Sequence, residues 1–328
     1  MSGEDDFIRR HFAPLAGPGA LDLRDDAACF SPPAGTDLVL TTDAIVAGVH
    51  FLADDPPDDV ARKALRVNLS DLAAKGAEPA GFLLTLALPR SADEAYIRHF
   101  ARALGQDAMD YGCPLLGGDT VSTPGPLTIS ITALGHVPAA KMVPRGGAGA
   151  GDRIYVTGTI GDAALGLLVC QKDERLQPLS AMHRAFLADR YRNPQPRCRI
   201  ASALRNYAAS AMDVSDGLAG DLTKMLRLAG LSTRVLWDDI PLSAAAAEAV
   251  KTQPALRETI LSGGDDYEVL CTVPAGKAAA FEHAAQQADV SVACLGLTLG
   301  DEFGVEFINE NGQAFRLDRM SFSHIEGE

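Results

Sequence analysis

Val137–Gly158 reads VPAAKMVPRGGAGAGDRIYVTG. Two prolines and four glycines fall between Pro138 and Gly151, and they interrupt every helical or alternating pattern, as a linker or large loop does. The stretch splits the chain into parts of about 140 and 175 residues, each an ordinary domain size. The expected organisation is a first domain over 1–138, a Gly/Pro-rich linker over 139–151 and a second domain over 152–328. On the N-terminal side, DLVLTT (Asp37–Thr42) is β-rich and LTISITALGHV (Leu127–Val137) alternates like a strand with one covered face. Asp58–Lys75 places Val60, Ala64, Val67, Leu69 and Leu72 at approximately helical spacing. Ala80–Leu88 reads as a buried strand and Ala92–Met109 as a helix. Beyond the linker, strands are expected at 153–157, 232–237, 267–273, 290–297 and 305–309, with helices at 162–170, 217–229, 243–251 and 276–288. This mixture lacks a strict βαβ rhythm, which favours two α+β domains over one doubly wound sheet.

The 328 residues are 47% hydrophobic and carry a net charge of −14. That charge repels phosphate backbones, and no basic cluster offsets it, so a nucleic-acid partner is not expected. No apolar run approaches the roughly 18 residues of a membrane span. The N-terminus, MSGEDDFIRRHF, is acidic where a signal peptide is basic. Six cysteines stand without a C-x-x-C pair or a zinc-spaced histidine, which reads as reduced, mostly buried thiols in a cytoplasmic protein. Trp237 and the methionines read as core.

Glycine-rich stretches invite a nucleotide reading. Gly146 and Gly151 have the outer spacing of a P-loop, but Asp152 and Arg153 follow where Lys and Ser/Thr are needed. Gly158, Gly161 and Gly166 do not form G-x-G-x-x-G; they fit a tight turn at a helix start, with an anion site at that helix N-terminus as the alternative. The aspartates are more telling. Asp26, Asp43, Asp71, Asp119, Asp213, Asp216 and Asp265 mostly follow or interrupt apolar runs. A carboxylate there must be paired, cap a helix or bind a metal. Singly, each also fits a turn or cap. Together, with few His or Cys converging, they read as an oxygen-only site for a hard cation such as Mg²⁺, with Thr41 and Thr42 adding neutral oxygen donors.

Six motifs in order carry a resemblance: LTTDAIVAGVHF (Leu40–Phe51), KALRVNLSDLAAKGAEP (Lys63–Pro79), LLGGDT (Leu115–Thr120), DRIYVTGTIGDAALG (Asp152–Gly166), AMDVSDGLAGDL (Ala211–Leu222) and LSGGDDYEV (Leu261–Val269). The chain resembles the thiamine-monophosphate kinases, within the superfamily that includes aminoimidazole ribonucleotide synthetase, from about Asp25 to its C-terminal tail. The resemblance implies two mixed domains, ATP held by Mg²⁺ and aspartates in a cleft between them, and a homodimer paired through the N-terminal sheet. It implies that Asp43 and Asp119, with Thr42, hold magnesium on the nucleotide phosphates. Asp71 would bridge several ions, with Asp26, Thr41 and Asp213 completing that group and Asp216 holding a further one. Gly118, Asp119, Arg145 and Ser215 would contact ATP. His50 and Asp265 would contact thiamine monophosphate, and Phe322 would stack on its rings.

The reaction so implied passes the γ-phosphoryl of ATP to the phosphate of thiamine monophosphate, the last step in making thiamine diphosphate. A phosphate monoester is mostly ionised at neutral pH, so no general base is needed; positioning and charge neutralisation carry catalysis. Asp265 and Phe322 suit the cationic thiazolium. Bland roles compete: a solvated Arg145, a core His50, a C-terminal anchor at Phe322. Three positions depart from the family pattern: Arg24 stands for a usual Gly, Asp265 for a Glu, and Phe322 for a Trp or Tyr. Rival functions are an ATP-dependent ligase of the same superfamily and a non-catalytic cation-binding module.

Overall fold

The computed structural model describes residues 3–300, 302–314 and 317–321. The chain forms two compact units, Met1–Leu72 with Ala77–Met142, and Ala73–Gly76 with Val143–Glu328. In chain order the first contains α1 (Gly3–His11), β1 (Thr36–Val46), α2 (Pro57–Ala74), β2 (Glu78–Pro89), α3 (Glu94–Asp110), β3 (Leu115–Thr123) and β4 (Thr128–Pro138). Its sheet runs β1-β4-β2-β3, antiparallel except for the parallel β2/β3 pair. Period-2 alternation sends Phe82, Leu84 and Leu86 of β2 and Ile129, Ile131 and Ala133 of β4 inward. Leu65, Leu69 and Leu72 of α2 and Phe100 and Leu104 of α3 are buried with them. The other face is open, and Leu38, Leu40, Leu83 and Val121 stand exposed on it.

The second unit contains β5 (Arg153–Thr157), α4 (Asp162–Cys170), α5 (Ala181–Arg192), α6 (Ala201–Tyr207), β6 (Ser210–Asp213), α7 (Leu218–Ala229), β7 (Ser232–Leu236), α8 (Ala244–Thr252), α9 (Leu256–Ser262), β8 (Val269–Val273), α10 (Ala278–Gln287), β9 (Val292–Leu297) and β10 (Gly304–Ile308). Its main sheet is β6-β8-β5-β9, antiparallel throughout, and β7 pairs in parallel with β10. Both faces of that sheet are covered. Ile154 and Val156 of β5 join a core with Leu165 of α4 and Leu222 of α7, while Tyr155 joins Phe281 of α10 on the other side.

Several expectations need correction. The stretch 139–151 has no helix or strand, yet from Val143 onward it is tied down. Val143 is buried and its N–H donates to the carbonyl of Lys75 at 3.1 Å, and the Gly151 N–H donates to that of Thr298 at 2.9 Å. Strand β3 was not expected, because its two glycines weaken a strand pattern that only pairing with β2 sustains. The cysteines are not mostly buried: Cys113 and Cys271 are, Cys29 is exposed and the other three are intermediate. Trp237, Met212 and Met225 are core, but Met109, Met142, Met182 and Met320 are exposed. Among the described residues, no helix is long and apolar enough to cross a membrane.

Candidate active site

In the first unit, β1 and α2 carry one group of donors. Thr41 donates its hydroxyl to the carboxylate of Asp71 on α2. The backbone N–H of Asp43 donates to Asn68 Oδ1 at 3.1 Å, so Thr41 and Asp43 are both tied to the helix that carries Asp71. His50 Nδ1 accepts from the Val46 N–H at 3.1 Å, and its carbonyl accepts from Lys63 Nζ at 2.8 Å. A second group faces the other way. Asp26, Gly118, Asp119 and Thr132 line a cleft of about 720 Å³ against the open side of the sheet. Thr132 donates to Thr42 Oγ1 at 3.1 Å, and Asp119 Oδ1 accepts the Thr120 N–H at 2.9 Å.

Register sets how far apart these groups lie. Asp43 pairs with Ile131, Ile131 with Leu84, and Leu84 with Gly118. Asp43 and Asp119 therefore sit on the two outer strands, three strand spacings or about 14 Å apart. Gly118 has a steric reason to be glycine, since a Cβ there would lie 1.9 Å from the carbonyl oxygen of Leu84.

In the second unit, two loops meet. One follows Asp213, the last residue of β6, and holds Ser215 and Asp216; the other precedes β8 and holds Asp265–Glu268. The N–H of Asp265 donates to Ser215 O at 2.9 Å, that of Tyr267 to Val214 O at 2.9 Å, and that of Val214 to Glu268 O at 2.8 Å. The approach is close enough that a Cβ on Gly264 would lie 2.3 Å from Ser215 O. Along 265–268 exposure alternates: Asp265 and Tyr267 are half-buried, Asp266 and Glu268 buried. Asp265 and Tyr267 have φ of +74° and +50°, strained for residues other than glycine at a cost of roughly 1–3 kcal/mol each. Asp213 is buried, 6% exposed. Asp216 accepts from Lys224 Nζ at 2.5 Å, and Asp221 accepts from the same ammonium at 2.9 Å. Burial pushes the Asp221 carboxyl above the ordinary carboxylate range, against the pull of Lys224.

Two domain families match along the chain: the N-terminal domain of AIR synthase related proteins over residues 24–137, and the C-terminal domain over 149–306. A thiamine-monophosphate kinase from Caulobacter vibrioides is 47% identical over 298 residues, 89% of this chain and 83% of that one. This chain belongs to the thiamine-monophosphate kinase family. The crystal structure of the kinase from Stenotrophomonas maltophilia superposes with a TM-score of 0.82 at 35% identity, covering 94% of this chain and 96% of that one. The structure of AaThiL complexed with AMPPCP and TMP has a TM-score of 0.75 at 28% identity, covering 98% and 96%.

In this member of the family, the departure at Arg24 needs no glycine: its φ of −112° and ψ of −1° are open to any residue. Arg145 is exposed on the segment that opens the second unit. Phe322 lies outside the described residues. Among those described, no three His, Cys, Asp or Glu side chains converge as a ready metal cage. The donor set nonetheless fits magnesium, which takes one or two carboxylates and completes its shell with substrate phosphates and water. Sequence reasoning missed the buried polar residues behind the site: Asn68 (0% exposed) and Lys63 (1%) on α2, and Asp266 and Glu268. Their signal was available, since polar residues inside apolar stretches need buried partners. The alternative of an external anion site at the start of α4 is overturned. The N–H groups of Gly161 and Ala163 donate to the Asp266 carboxylate at 2.7 and 3.2 Å, so the protein supplies its own anion. Gly118→Ala is expected to lower the unfolding free energy by about 1–3 kcal/mol through overpacking, read by urea denaturation.

Proposed function

We propose that the chain transfers the γ-phosphoryl group of ATP to the phosphate of thiamine monophosphate, giving ADP and thiamine diphosphate. The observation that carries this is family membership along nearly the whole chain, with the acidic motifs on β1, α2 and β3 of the first unit and on two facing segments of the second. A solved relative complexed with AMPPCP and TMP supports both substrates.

The acceptor needs no general base, because a phosphate monoester is largely ionised at neutral pH. What the chain must overcome is repulsion between two polyanions, by holding them in line and neutralising charge. In the first unit, Asp43 with Thr42, Asp119, and Asp71 with Thr41 and Asp26 are the residues that would hold magnesium. In the second, Asp213 and Asp216 would do so. Magnesium held by these carboxylates would supply the positive charge that neutralises the phosphates. Gly118, Asp119, Arg145 and Ser215 contact the nucleotide, and Arg145 supplies a guanidinium for the transferring phosphoryl. His50 and Asp265 contact thiamine monophosphate. Because His50 Nδ1 accepts from a backbone N–H, the neutral ring carries its hydrogen on Nε2, a donor suited to phosphate oxygen. Asp265 pairs with the thiazolium, and Phe322 stacks on the substrate rings.

The reading includes a cytoplasmic homodimer. The exposed leucines and valine of the open sheet face support pairing through that face, Leu40 being 60% exposed. So does the separation of Asp43 from Asp119 within one chain. Equilibrium sedimentation is expected to give twice the chain mass, and Leu40→Glu to shift it toward one; a wild-type monomer at micromolar concentration would refute the pairing.

The deciding assay is ADP release from Mg-ATP with thiamine monophosphate, thiamine or no acceptor. ADP formed only with the monophosphate, matched by thiamine diphosphate, is expected; no turnover with any acceptor would overturn the function. Asp71→Asn is expected to cut kcat at least about a hundredfold, with the melting temperature nearly unchanged. Wild-type turnover in that variant would remove Asp71 from the metal-holding group.

A further inference from the structure

Within the GGDDYE segment, Gly263–Glu268, the last four residues alternate between half-buried Asp265 and Tyr267 on the outer side and buried Asp266 and Glu268. Both carboxylate oxygens of each buried residue have polar partners. The carboxylate of Asp266 accepts from the N–H groups of Gly161 and Ala163, one oxygen to each, at the N-terminal end of α4. A negative charge there meets both the unsatisfied donors and the positive end of the helix dipole. Glu268 lies 4% exposed. It accepts from Arg197 through both Nε, at 2.6 Å, and Nη2, and from the Thr157 hydroxyl at 2.6 Å. That hydroxyl accepts in turn from the Val269 N–H at 2.8 Å. The outward residues, Asp265 and Tyr267, are the two with left-handed backbone. Aspartate tolerates that region, whereas a bulky tyrosine rarely adopts it. Strain of this kind persists only where the surroundings over-determine the backbone, and the buried residues on either side of Tyr267 provide the fixing contacts.

We infer that Asp266, backed by the Arg197–Glu268 pair, is a positioning residue that holds the left-handed backbone of Asp265 and Tyr267 and so places the Asp265 carboxylate for thiamine monophosphate. This rests on the reading above that Asp265 contacts that substrate. Asp266 touches no substrate itself. An asparagine in its place keeps the volume but offers one acceptor and one donor to two backbone N–H groups. Arg197 is a second handle on the same loop, because lysine cannot reproduce its two-pronged bond to Glu268.

The test uses steady-state kinetics of the full chain with Mg-ATP and thiamine monophosphate. Asp265→Ala is expected to raise KM for thiamine monophosphate about tenfold or more while leaving KM for ATP within about twofold. Asp266→Asn is expected to reproduce that selective rise, and Arg197→Lys to give a smaller rise in the same direction. If Asp266→Asn does not fold, Arg197→Lys alone carries the reading. The decisive comparison is the double variant: in an Asp265→Ala background, Asp266→Asn is expected to change KM for thiamine monophosphate by less than about twofold, since it acts through a carboxylate already gone. Multiplying effects in the double variant, equal rises in both KM values, or an unchanged KM in Arg197→Lys and Asp266→Asn would each overturn the positioning role. An unchanged KM for thiamine monophosphate in Asp265→Ala fails earlier: it removes the substrate contact, and the proposal falls with it.

Discussion

The two hydrogen bonds from the start of α4 to the buried carboxylate of Asp266 fix the geometry on which the second unit depends. A carboxylate taken out of water needs donors close by, and few places in a folded chain offer them ready-made. A helix N-terminus does, with N–H groups that have no partner inside the helix. Satisfying both needs at once pins the segment before β8 to the segment after β5. The neighbouring backbone then pairs with the loop after β6 through Ser215 and Val214, so the acidic motifs on the two loops become adjacent. Burial still pushes the Asp266 carboxyl well above the ordinary carboxylate range, with the two N–H bonds opposing the shift.

The first unit solves a related problem with a helix face. Helix α2 reaches β1 through three polar side chains: Asn68 binds the backbone at Asp43, Lys63 the carbonyl of His50, and Asp71 the hydroxyl of Thr41. All lie among buried leucines and valines on that helix. Neutral hydroxyls and amides orient the acidic residues at β1, whereas in the second unit Arg197 and Lys224 are set against carboxylates that are buried or crowded.

Much of this was legible beforehand, and the omissions share a cause. The sequence located α2, α4 and α7 to within a residue or two; α2 showed the spacing of an apolar stripe, whereas α4 buries five residues in a row from Asp162 to Gly166 and was marked by its apolar run and the glycine turn before it. The motifs located the end of β6 at Asp213 and the loops that carry Asp216 and Asp265. Strand β3 escaped because Gly117 and Gly118 blur its alternation, and a parallel partner leaves no hairpin signal. The order β1-β4-β2-β3 is likewise invisible locally, so the two strands that lie between Asp43 and Asp119 could not be read from the motifs. Asp266 and Glu268 carry no mark of burial of their own, since each stands beside another polar residue in the motif. Strict alternation through Asp-Asp-Tyr-Glu marks every second residue for the interior, and a buried acid announces a partner elsewhere in the chain.

Lys224 adds a thermodynamic consequence. Its ammonium already touches Asp216 and Asp221, one of them fully buried. A divalent ion held at Asp216, as proposed above, would not enter a bare anionic hole; it would compete there with a resident monovalent cation. The ammonium would keep its bond to Asp221 at 2.9 Å, and the local charge would rise by less than the ion carries. Affinity at Asp216 would then be set against that of a lysine already in place.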